Sequence, residues 1–144
     1  MSRKTESFSS VLRRSDIVFL TLADVIALHR FALEAGGGAD GVRDLGQVTA
    51  ATMAPQNAYY DTLADLASVY AYGIAESQAF LDGNKRTSLV VAGAFLDVNG
   101  FPVALDADRF EALMIGLATG DASREDLAAA FALAMGGDPV VLDD

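Results

Sequence analysis

Asn84-Lys-Arg-Thr-Ser-Leu-Val-Val-Ala-Gly-Ala-Phe-Leu-Asp-Val98 is the stretch around which the rest of the chain must be arranged. Leu89, Val90, Val91, Ala92, Ala94, Phe95 and Leu96 leave it no wet face, and a helix that is apolar nearly all round belongs in a core. Asn84 is of a type that caps helices, it follows the turn Leu81-Asp82-Gly83, and Asn99-Gly100 closes the run. The reading is a buried central helix over 84–98.

Upstream, Asp61 can cap a long helix that carries Leu63, Leu66, Val69, Tyr70 and Ile74 and continues to about Gln78. Before it, a short helix from about Leu45 to Met53 is expected to stop ahead of Pro55, because the residue preceding a proline is pushed out of the helical region. Thr21-Leu-Ala-Asp24 reads as a capping box for a first helix with Val25, Ile26, Leu28, Phe31 and Leu33 on its apolar side. Gly36-Gly37-Gly38 stops that helix, and the segment to Gly46 reads as a loop. Downstream, Phe101 to Leu105 is extended at most. Asp106 opens a helix to about Ala118, and Ser123-Arg-Glu-Asp126 opens the last one, through Ala134. With no internal repeat and no break in composition, the expectation is an all-α, single-domain helical bundle over 1–144, with residues 1–15 and 138–144 frayed.

The bulk numbers bound the function. Apolar residues make up 52% of the 144 and charged residues 21%, which suits a folded core of one domain. The chain has no cysteine and a single histidine, His29, so disulfides, thiolate chemistry and multi-histidine zinc sites are excluded. The longest apolar run, Leu89 to Leu96, falls short of the roughly 20 residues that cross a bilayer, and no signal-type segment follows the polar Met1 to Ser10. A cytoplasmic protein with no membrane span is expected. A formal charge of −10 repels a polyanion, so direct nucleic-acid binding is not expected, whereas an acidic surface suits a basic protein segment.

Basic residues are scarce enough for their positions to matter. None lies between Arg43 and Lys85 or between Arg86 and Arg109, so Lys85-Arg86 is an isolated cationic pair in the first turn of the most apolar helix. Positive charge there opposes the helix dipole by about 0.3 to 1 kcal/mol per residue. A negative ligand would offset that: free N–H groups after Gly83, the dipole and two cations together suit a phosphate, and Asp82 can hold a magnesium ion that bridges phosphate oxygens. Asp-Gly-Asn is equally an ordinary turn with a cap, and Lys-Arg an ordinary solvated pair. Composition leaves both readings open.

Resemblance separates them. Ala71-Tyr-Gly-Ile-Ala75, then Phe80-Leu-Asp-Gly-Asn-Lys-Arg-Thr87, then Phe95-Leu-Asp-Val-Asn-Gly100 resemble the core of the Fic/Doc family, in particular its Doc (death on curing) branch, whose signature is His-(Pro/Ala)-Phe-x-Asp-Gly-Asn-Lys-Arg. Leu20-Thr21, Val25-Ile26-x-Leu28-His29 and Gly41-Val-Arg-Asp44 resemble the family's N-terminal half, so the likeness spans about Phe19 to Phe101. The resemblance implies that Asp82 binds the metal, that Gly83 and Asn84 form the anion-binding turn, and that Lys85 and Arg86 hold the phosphates of ATP. Most Fic proteins carry glycine where Lys85 stands and transfer AMP. The Doc branch carries lysine and transfers the terminal phosphate of ATP to a threonine of elongation factor Tu. Such a toxin is held inactive by a small antitoxin, Phd in the best-known pair.

One departure bears on the chemistry. The family's catalytic histidine falls at Gln78, followed by Ala79. A hydroxyl attacking phosphorus must lose its proton, and glutamine can orient a nucleophile but has no group that accepts a proton near neutrality. The resemblance therefore implies an impaired enzyme. The alternatives are a pseudoenzyme that binds nucleotide or antitoxin without turnover, and an AMP transferase, against which Lys85 argues. His29 is expected to pack or hydrogen-bond in the first helix rather than replace the base. Tyr59 and Tyr60 fall where the family's substrate-docking flap is expected, Arg43-Asp44 reads as a loop brace, and acidic residues such as Asp106, Glu111 and Asp126 read as caps and wet faces.

Overall fold

The computed structural model describes residues 11–57 and 59–144. Its helices are α1 (Leu22–Gly36), α2 (Leu45–Asn57), α3 (Leu63–Ser77), α4 (Asn84–Val98), α5 (Ala107–Thr119) and α6 (Arg124–Ala134), framed by two short strands, β1 (Val11–Arg13) and β2 (Val141–Asp143). The fold is an all-α bundle, as the sequence patterning predicts. No helix of the described residues is long and apolar enough to cross a membrane.

Local chemistry sets most helix starts. Thr21 accepts from the Asp24 N–H at 3.1 Å while Asp24 accepts from the Thr21 N–H at 2.8 Å, and Ser123 and Asp126 repeat this reciprocal box at α6. Asp106 caps α5 by accepting from the Arg109 N–H. The start of α3 differs from expectation: Thr62, not Asp61, supplies the cap. The Asp61 carbonyl instead accepts from the Leu142 N–H. Helix α2 also runs on through Pro55 to Asn57. Ala51, Thr52 and Pro55 are buried, and packing of α2 on α3 outweighs the conformational bias that proline imposes on its predecessor.

The central helix is α3 rather than α4. It packs on α2, α4 and α6, and Ala64, Ala67, Ser68 and Ala71 are small enough to let these neighbours close in around Leu63, Leu66, Tyr70 and Ile74. The Tyr70 ring meets Phe95 of α4 at 4.9 Å between centroids, and Phe110 meets Phe131 at the same distance where α5 joins α6. Helix α4 buries Val91, Ala92, Phe95 and Leu96 but leaves Leu89, Val90, Gly93 and Ala94 half-covered and Val98 exposed.

The C-terminal segment does not fray as expected. β2 pairs in parallel with β1, and Val140 and Pro139 accept from the N–H groups of Leu63 and Ala64, which are otherwise orphans of the first turn of α3. Val140 takes the left-handed region, at φ 58°, to do this. Residues 11–13 lie in β1 and 14–16 in a 3-10 turn, while the fraying expected for residues 1–10 lies outside the described residues.

Candidate active site

Helix α3 ends at Gln78 in the left-handed conformation, φ 51° and ψ 36°, so the chain reverses and delivers Asp82 and Gly83 to the amino end of α4. Several bonds fix this reversal. Arg43 and Asp44 N–H groups both donate to the Ala79 carbonyl, at 2.7 and 3.1 Å, and the Leu81 N–H donates to Gly41. The Arg43 guanidinium donates to the Gln78 carbonyl at 3.1 Å. Asn84, expected as the cap, is the first helical residue instead. Its side chain accepts from the Phe80 N–H and donates to the Phe80 carbonyl, both at 3.0 Å, and so closes the turn on itself. The cap position falls to Gly83, at φ 75°, which has no side chain with which to satisfy the first amides of α4.

The amino end of α4 opens on a cleft of about 630 Å³. Arg43, Gln78 and the 81–86 turn line one side, and Ala107, Glu111 and Met114 of α5 stand across from them with Leu89. The sequence-expected residues Gln78, Asp82, Gly83, Asn84, Lys85 and Arg86 are thus brought together. Lys85 is exposed and has no carboxylate partner among the described residues. Arg86 has a second engagement that sequence reading missed: its Nη1 donates to the carbonyls of Ala32, at 3.1 Å, and Gly37, at 3.3 Å, at the end of α1. Asp82 accepts from the Ala39 N–H through Oδ2 at 3.0 Å, and no hydrogen bond to Oδ1 is made among the described residues.

The glycine triplet belongs to this site. A Cβ on Gly36 would collide with the Arg86 guanidinium, one on Gly38 would lie 3.1 Å from the Asp82 Cβ, and one on Gly83 would lie 3.0 Å from Leu33. The glycines read as a helix stop therefore also give Arg86 and Asp82 their room. Arg43 is a loop brace and Glu111 is exposed, as the sequence suggests, and both also line the cleft, which nothing local in the sequence shows.

Tyr59 and Tyr60 do not line the cleft. Tyr59 lies under the Arg14 guanidinium, 3.8 Å from its ring centroid, and donates to Asp144, while Tyr60 packs beneath Arg124. Their placement gives the docking expectation no support. His29 is buried, stacked on Phe80 at 3.9 Å and hydrogen-bonded through Nε2 to the Asp82 carbonyl at 2.8 Å, beneath the turn rather than in the cleft.

A family model described as the Fic/DOC family matches residues 19–96. The chain belongs to the Fic/Doc family. It is 36% identical over 121 residues to a Toxin Doc of Mycolicibacterium smegmatis, covering 79% of this chain and 91% of that one. It is also 36% identical over 104 residues to a Protein kinase doc of Escherichia phage P1, covering 69% of this chain and 82% of that one.

The donor set suits an anion with a small hard cation. First-turn amides and Lys85 fit a phosphate group. The one buried side-chain polar atom without a partner among the described residues, Thr87 Oγ1, lies in the first turn of α4 but does not line the cleft. The Asp82 carboxylate fits magnesium, which is commonly held by one or two carboxylates together with phosphate and water, and Glu111 is a second carboxylate lining the cleft; no group of three or more metal-binding side chains occurs among the described residues.

Proposed function

We propose that the chain is a Doc-like toxin that binds Mg·ATP at the amino end of α4 and transfers the terminal phosphate to a hydroxyl of a protein target, slowly because Gln78 stands where the base belongs. The observation that carries this reading is the uncapped, cation-bearing start of α4 opening on the cleft. The names of the two relatives, a toxin and a protein kinase, support the same class of activity. Elongation factor Tu as target and a Phd-like antitoxin as partner follow from the resemblance.

In the transfer, the hydroxyl oxygen bonds to the terminal phosphorus, the bridging P–O bond breaks and ADP leaves. Lys85 and the Gly83 and Asn84 amides offset charge on the phosphate oxygens. Asp82 would hold the magnesium ion, which supplies further charge neutralisation when bound. The hydroxyl proton has no base at residue 78, because a carboxamide takes no proton near neutrality and the Gln78 Nε2 is turned back to donate to the Ala75 carbonyl at 2.9 Å, so the proton leaves to a phosphate oxygen or to water. That folded-back amide favours a second reading, a nucleotide- or antitoxin-binding module without turnover.

Gln78→His, assayed with γ-labelled ATP and cell extract, separates the two. General base catalysis is worth roughly 10² to 10⁴ in rate, and a gain of that size in γ-label transfer is the expected result. Transfer of α-label instead would indicate AMP transfer, and ATP binding with no transfer by either form would leave the binding module.

A further inference from the structure

We infer that His29 is a positioning residue for the phosphate turn: by holding the Asp82 carbonyl from beneath, it aims the Gly83 N–H into the cleft. The inference rests on the reading of the cleft as a phosphate site.

A carbonyl oxygen has no proton to give, so the 2.8 Å contact fixes Nε2 as the donor. The side chain is 1% exposed, and burying an imidazole costs free energy unless its polar atoms are bonded. Its single short bond goes to the functional turn. Nδ1 faces Asp40 at 3.8 Å, beyond hydrogen-bonding range. Phe80, the residue on which Asn84 closes, lies flat on the ring, 10° from parallel. The imidazole therefore supports the turn at Phe80 and at Asp82.

Peptide geometry carries the effect into the cleft. In a trans peptide the C=O and N–H point in opposite directions, and no cis bond occurs among the described residues. The Asp82 carbonyl and the Gly83 N–H share one plane. With the carbonyl held inward on His29, the N–H points away from it, and it has no acceptor among the described residues. A Cβ at Gly83 would lie 3.0 Å from Leu33, so glycine lets the turn sit close against α1 in this orientation. A rotated Asp82–Gly83 peptide would present an oxygen to the phosphate instead of a donor.

Two variants test this in the full chain. His29→Leu keeps buried volume and removes the donor, whereas His29→Gln offers an amide N–H at a similar reach. Thermal unfolding checks that each folds. In ligand-free, 15N-labelled protein, the Gly83 amide resonance should move in the Leu variant and return toward its wild-type position in the Gln variant. Mg·ATP affinity measured by calorimetry should fall about tenfold in His29→Leu and recover in His29→Gln, which is about 1.4 kcal/mol of binding. An unmoved Gly83 amide with unchanged affinity in a folded Leu variant overturns the inference, as does a folded Gln variant as deficient as Leu. Wild-type protein that binds no Mg·ATP would sink the phosphate reading, and the ligand-free resonances would still decide the role of His29.

Discussion

The amino ends of α4 and α6 are built on opposite principles. At α6, Ser123 and Asp126 satisfy each other's amides, and Glu125 and Asp126 place negative charge against the positive pole of the helix. At α4, Gly83 has no side chain to accept from the first amides, no acid stands in the first turn, and Lys85 and Arg86 occupy it instead. α1, α3 and α5 follow α6, each with a Thr or Asp cap and an acid in the first turn. α2 has no acid in its first turn but starts from Asp44, which accepts from the Gln47 N–H, so among the described α-helices the one without a side-chain cap is the one that faces the cleft. A helix start closed by its own side chains is finished as structure, and one left open leaves its first amides to water or to a ligand.

Giving α4 the acid its neighbours have is the strongest test of that contrast. Lys85→Glu should weaken Mg·ATP binding by about 100-fold or more, since charge-assisted bonds are worth roughly 1.5 to 3 kcal/mol and a repulsion replaces one. Unchanged affinity by calorimetry would break the comparison. The start of α1 offers the next effect. Tyr70 accepts from the Leu20 N–H just before the Thr21 cap, and burial, with the nearby Asp24 carboxylate, pushes its pKa up to about 12. The neutral phenol is favoured on folding, so its contribution is intact below pH 10 and is lost as pH rises toward 12. Denaturant titrations should show roughly 2 kcal/mol lost over that window, and Tyr70→Phe should flatten the loss. Ser123→Ala should cost about 1 kcal/mol of stability with no change in ATP affinity. Smallest is the reverse side of Lys85→Glu: a stability gain of about 0.3 to 1 kcal/mol, seen as a higher midpoint, because the helix dipole then meets its complement.

What sequence made legible follows from the range of the interactions. Capping boxes at Thr21 and Ser123 span three residues and read directly, as did the turn at 82–86. Asn84 reads as a cap in the sequence because its actual partner, Phe80, becomes reachable only after the turn forms. The centre of the bundle was misplaced for a similar reason: α4 has the conspicuous Val and Leu content, but burial went to α3, whose alanines make close packing cheap without looking hydrophobic. Arg86 on the α1 carbonyls, His29 under Asp82 and Glu111 across the cleft join residues far apart in the chain. No periodicity carries that information.

The pairing of β1 with β2 also has a kinetic side. Joining Val11 to Val141 closes a loop of nearly the whole described chain, an entropic cost that grows with the logarithm of loop length and is repaid by only three paired positions. The carbonyls of Pro139 and Val140 find their donors only once α3 has formed. The helices should therefore assemble first, the strap should zip last, and on the return path it should be the first part of the molecule to let go.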